Sequence, residues 1–104
     1  MLPAEFDITG KVVLITGAGR GIGKGIAQVL HGVQINAISP GLFPDVVTAG
    51  EEGFRRSTQR AEQTVPLGRA GRLREVGFLA LYLASAASDY MTGQTIPLDG
   101  GLSL

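Results

Sequence analysis

"LITGAGRGIGKGIAQVLHGVQINAISPGLF", residues Leu14 to Phe43, decides the fold. Its left end completes the run Lys11-Val-Val-Leu-Ile-Thr16, which is apolar and β-branched until it meets glycine. A continuous apolar run this short predicts a strand covered on both faces, because a half-exposed strand would alternate. From Ile22 the apolar residues Ile26, Val29 and Leu30 follow at i+4, i+7 and i+8, one buried stripe on a helix of about three turns. His31-Gly32 ends it, glycine being suited to the left-handed backbone that closes helices. Val33-Gln-Ile-Asn-Ala-Ile38 alternates and is β-branched, a second strand closed by the turn residues Ser39-Pro40-Gly41. Strand, helix and strand make one βαβ crossover. Such connections are right-handed, so the two strands are expected to lie parallel and adjacent.

Leu42 to Arg72 reads as loop with one charged helix, about Glu51 to Gln63, whose apolar points are Phe54 and Ala61, followed by Val65. Leu73 to Ala84 predicts a firmer helix, with Val76, Leu79, Ala80, Leu83 and Ala84 on one face. Gln94 to Leu98 is the last predicted strand, ending in Asp99-Gly100-Gly101. No repeat or linker divides the chain, so residues 1–104 are expected to form one domain: 1–31 the first strand, glycine loop and helix, and 32–104 the strand-helix-strand remainder. The fold class is α/β, with about three parallel strands and flanking helices.

A chain of 104 residues can bury a core, but a thin one. Nine basic and nine acidic residues cancel, so the overall charge predicts neither a nucleic-acid partner nor an anionic membrane surface. There is no cysteine, which excludes disulfides and thiolate-held metal and fits a reducing compartment. The opening MLPAEFDITGK lacks the apolar run of a signal peptide, and no transmembrane stretch follows. A cytoplasmic protein without a metal site is the expectation.

The strongest chemical signal is Thr16-Gly-Ala-Gly-Arg-Gly-Ile-Gly23 between a predicted strand and a predicted helix. Glycines there let the backbone turn sharply and approach a pyrophosphate, while the amides and positive end of the helix attract its charge. The spacing TGxxxGxG resembles the cofactor loop of the short-chain dehydrogenase/reductase family, and Asp7-Ile-Thr-Gly-Lys-Val-Val-Leu-Ile-Thr16 resembles that family's first strand. Asn36-Ala-Ile-Ser-Pro-Gly41 is similar to its late strand and the turn beneath the nicotinamide. Pro66-Leu-Gly-Arg-Ala-Gly-Arg72 with the Glu75 helix, and Thr92-Gly-Gln-Thr-Ile-Pro-Leu-Asp-Gly-Gly101, resemble its last helix and strand, in order.

The resemblance implies a three-layer Rossmann-like fold and a dinucleotide, NADP or NAD, held by Gly17, Arg20, Gly21, Ile22 and Gly23 and by Pro40, Gly41, Leu42 and Thr48. It also implies subunit contacts through the last helix and strand. The same resemblance exposes a gap. The family's central region carries the residue that selects NAD or NADP, a catalytic serine, and a tyrosine followed four residues later by lysine. Here Tyr82 is followed at that distance by Ala86 and Tyr90 by Gln94, and the only lysines are Lys11 and Lys24. The chain reads as the two ends of a dehydrogenase joined at about His31-Gly32, and no residue is assigned a catalytic role. Hydride transfer needs a general acid or base of tuned pKa, which such a chain does not supply, so normal turnover is not expected.

Each candidate also has a structural reading. The glycines could serve only close helix packing; Arg20 could meet a 2′-phosphate, which tilts the expectation toward NADP, or be solvated. Pro40, Gly41 and Thr48 could form an ordinary turn. Asp45 lies 22 residues beyond Gly23, near the offset of a ribose-binding acid, but falls in a loop where coincidence is the safer reading. His31 reads as a helix cap, and Arg55, Arg56, Arg60, Arg69, Arg72 and Arg74 as a solvated or interface surface. In the family two other strands separate the first from the late strand, so a shortened sheet must pair anew and leave two apolar edges open.

Overall fold

The computed structural model describes residues 4–16 and 22–104, Ile22 and Gly23 by their backbone alone. Three strands, β1 (Val12–Thr16), β2 (Gln34–Pro40) and β3 (Thr95–Leu98), form one parallel sheet in the order β1-β2-β3. Helix α1 (Ile22–Val29) joins β1 to β2, while α2 (Val46–Thr64) and α3 (Leu73–Ala84) lie between β2 and β3 in sequence. The expected pairing therefore occurs: β1 lies directly against β2, with Val12 opposite Gln34 and Thr16 opposite Ile38.

Central β2 is the core. Ile35, Asn36, Ala37 and Ile38 are consecutive and all buried, which for a strand requires cover on both faces. Helix α1 packs on β2 and β3, and α3 packs on β1 and β2, giving a three-layer α/β arrangement. Leu83 of α3, 1% exposed, belongs to this core. Past α1, Gly32 adopts φ +79°, the left-handed backbone foreseen for the helix end.

Two boundaries differ from the sequence reading. Ser39 and Pro40 are not turn but strand, opposite Pro97 and Leu98 of β3. Pairing with β1 stops at Ile38, so the missing N–H of Pro40 interrupts no ladder on that side. Helix α2 begins at Val46 rather than Glu51, because Asp45 caps it: the carboxylate accepts the Val47 N–H at 3.2 Å. A break at Gly50, φ +75° and ψ 170°, separates this added turn from the helix proper.

The core is thin, as the length implied. Of α2 only Ala61 is buried. The accessible surface is 7377 Å² for 10.8 kDa, against about 5,500 Å² for a compact monomer of that mass. Likewise the radius of gyration is 16.5 Å, where a packed chain of this length has about 13 Å.

Candidate functional site

In open parallel sheets, ligands bind beyond the carboxyl ends of the strands, where loops and helix N-termini converge. Here that edge comprises Thr16 of β1, Pro40 to Leu42 at the end of β2, and Leu98 to Gly100 at the end of β3. Gly17, Arg20 and Gly21 lie outside the described residues; Ile22 and Gly23 open α1.

The structure brings Pro40, Gly41 and Leu42 together with the end of β3. Pro40 stands opposite Leu98, and the Gly41 N–H donates to the Leu98 carbonyl at 3.0 Å. A Cβ on Gly41 would sit 2.6 Å from the Asp99 Cβ and 2.8 Å from its Cα, so only glycine lets the two strand ends approach this closely. Leu42 lines a cavity of about 80 Å³ with Phe43, Val65, Leu98 and Asp99. Small-molecule pockets run to about 300–1,000 Å³, so this cavity admits only a few atoms.

Thr48 is on the first turn of α2, where its hydroxyl donates weakly to the Asp45 carbonyl at 3.4 Å and carboxylate at 3.5 Å. Asp45 is thus engaged as a helix cap, which supports coincidence over a ribose-binding role. His31 is exposed in the turn after α1.

Three charged groups at the same edge were given no site role from sequence. Arg69 makes a two-pronged pair with Glu75, at 2.8 and 3.0 Å, at the cavity wall. Glu75 also accepts the Arg72 N–H at 2.9 Å at the start of α3. The Arg69 hydrogen bonds, then the Arg72 amide, pull the Glu75 pKa down to about 2, and the same pair raises that of Arg69. Asp99 is held below the usual carboxylate range, first by hydrogen bonding from Ser103, and accepts the Gly101 and Ser103 amides at 3.0 and 3.1 Å. The repeated Gly-Arg spacing of Gly68-Arg-Ala-Gly-Arg72 and a glutamate three residues on were the available signal.

The arginines divide by surroundings. Arg56 pairs with Glu52 on α2, 3.1 Å apart with both side chains exposed, and Arg74 lies 5.1 Å over the Phe78 ring. Among the described residues no group of acidic or histidine side chains is arranged to hold a metal ion.

A family model described as "Enoyl-(Acyl carrier protein) reductase" matches residues 29–103. The 3-oxoacyl-[acyl-carrier-protein] reductase FabG of Thermotoga maritima is 39% identical over 84 residues, 79% of this chain and 33% of that protein. Among solved structures, a short-chain type dehydrogenase/reductase from Mycobacterium marinum is 40% identical with a TM-score of 0.66, covering 79% of this chain and 32% of the other. A gluconate 5-dehydrogenase from Burkholderia cenocepacia J2315, in complex with NADP and tartrate, superposes with a TM-score of 0.70 at 27% identity, covering 91% and 45%. The chain spans about a third of the length of the curated relatives it matches.

Proposed function

The chain belongs to the short-chain dehydrogenase/reductase family, and from that premise we propose that it is a single shortened dinucleotide-binding domain which takes NADP in preference to NAD and does not turn over an alcohol or carbonyl substrate. The observation that carries this reading is the parallel β1-α1-β2 unit: in sequence its glycine-rich junction follows Thr16, and Thr16 lies at the carboxyl edge of the sheet opposite Ile38, two residues before Pro40-Gly41-Leu42. Arg20 in the loop and the NADP bound by the Burkholderia relative support the preference for NADP. Loss of turnover follows from the missing tyrosine and lysine pair: a carbonyl or alcohol beside a bound nicotinamide would lack the general acid or base that exchanges its proton. A cytoplasmic location is supported by the absence of cysteine and of any described helix long and apolar enough to cross a membrane.

Titration with NADPH and NADH, followed by nicotinamide fluorescence and thermal unfolding together, tests it. A ligand that binds only the folded state stabilises it by about 2.7 kcal/mol at a hundred times its dissociation constant. Saturable binding that Gly21→Asp abolishes is the expected result; no binding by the folded wild type refutes it.

A second reading, docking onto a full-length relative through the last helix and strand, is favoured by α3. Its Phe78, Leu81 and Tyr82 are 58%, 67% and 44% exposed, an apolar surface on which only Arg74 is seen to lie, over Phe78. Capture of such a relative, lost in Leu81→Arg, would identify it.

A further inference from the structure

The sheet has two edges, and they are not alike. In β3 the ladder to β2 uses the Gln94 and Leu98 carbonyls, which accept from Ala37 and Gly41. Strand alternation then turns Thr95 and Pro97 outward. Proline there removes an outward donor, a common protection of sheet edges. In β1 the inward set is fixed by the Gln34 N–H donating to the Lys11 carbonyl at 3.2 Å, with Val13 opposite Ile35. Val12, Leu14 and Thr16 therefore turn their amides and carbonyls outward, and no described backbone group bonds to them. Val12–Thr16 contains no charge, proline, glycine or bulge, none of the devices that protect an edge.

We propose that the outer edge of β1 is an interface between two copies of this chain, their β1 strands pairing antiparallel about a two-fold axis at Leu14. The strand is self-complementary in that register. Leu14 faces Leu14 of the second copy, Val12 faces Thr16, and each pair exchanges two backbone hydrogen bonds. The union yields a continuous six-stranded sheet whose only free edges are the two β3 strands bearing Pro97. It also covers part of the surface left in excess by the thin core. A relative cannot offer this pairing with its own first strand if that strand is flanked on both sides, which favours a second copy as the occupant.

Sedimentation of the full chain over a range of concentrations tests the proposal, with amide hydrogen exchange as a readout that needs no variant. The wild type is expected to dimerise, with Val12, Leu14 and Thr16 amides protected in step with the dimer fraction. Val12→Lys with Thr16→Lys sets lysine against lysine twice and is expected to weaken the dimer about tenfold or more. Val12→Lys with Thr16→Glu pairs opposite charges in the same register and is expected to restore it. A wild type that stays monomeric, fast exchange at those three amides in a dimer, or a dimer abolished by Leu81→Arg and indifferent to the β1 lysines overturns the proposal. Cofactor titration of the wild type reads nucleotide binding and sedimentation reads association, so either proposal can fail without the other.

Discussion

The side-chain amide of Asn36, in the middle of β2, donates to the Met91 carbonyl at 3.0 Å, although the residue is only 1% exposed. Its carbonyl oxygen accepts the Gln94 N–H at 3.2 Å, so one buried side chain fastens the approach to β3 against the central strand. Thr92 and Gly93 add bonds to Ile35, from the Ile35 N–H to the Thr92 hydroxyl at 3.0 Å and from the Gly93 N–H to the Ile35 carbonyl at 2.6 Å. Asn36→Ala leaves a buried donor and acceptor without partners. A loss of about 2–4 kcal/mol is expected, read from urea unfolding. Against the roughly 5–15 kcal/mol of an ordinary domain that is a large share.

Gly41→Ala tests whether the β2 turn is built for close approach. The new methyl would collide with the Cα and Cβ of Asp99, and neither is the end of a flexible side chain. The expected cost is about 1–3 kcal/mol in thermal unfolding. Displacement of the Pro40 to Leu42 segment is expected to weaken NADPH binding in the same variant.

Glu75 makes stability depend on pH in a stated direction. Its folded pKa, about 2, lies below the ordinary glutamate value of 4.5. Such a group stabilises the folded state above the unfolded pKa, and the contribution fades as pH falls from about 4.5 toward 2. Because Glu75 is solvent-accessible, salt screens the effect. Between pH 5 and 2, Glu75→Gln is expected to flatten the fall in unfolding midpoint; an unchanged slope would refute the assignment.

Asp45 separates a cap from a cofactor ligand. Asp45→Ala removes the acceptor of the Val47 N–H, at an expected cost of about 1 kcal/mol to α2. The ratio of NADPH to NADH affinity is expected to stay unchanged. A shift in that ratio would instead place the carboxylate at the ribose.

Much of the chain was legible because its signals are local. The runs Val12 to Thr16 and Val33 to Ile38, the glycine stop at Gly32 and the α3 face from Leu73 each depend on residues a few positions apart. The buried stripe expected on α1 did not form as such: Val29 is 76% exposed, because the thin core gives α1 little beyond β2 to pack on. Misjudged boundaries were those set by partners or caps. Ser39 and Pro40 are strand only because β3 lies beside them, and proline read alone signals a turn. The earlier start of α2 was written in Asp45-Val-Val-Thr48, a capping sequence hidden by the glycine that follows at position 50.

The sequence by itself determined the βαβ unit, the position of the glycine-rich junction, family membership and the lack of a tyrosine-lysine pair, since spacing and residue identity suffice for each. Only the tertiary structure decided that β3 pairs with β2 on the side away from β1, that Gly41 meets Asp99, that Arg69 reaches Glu75, and that one sheet edge is blunted by Pro97 while the other is open. Those are contacts between distant segments, selected by which backbone groups and apolar faces remain to be satisfied once the local elements have formed.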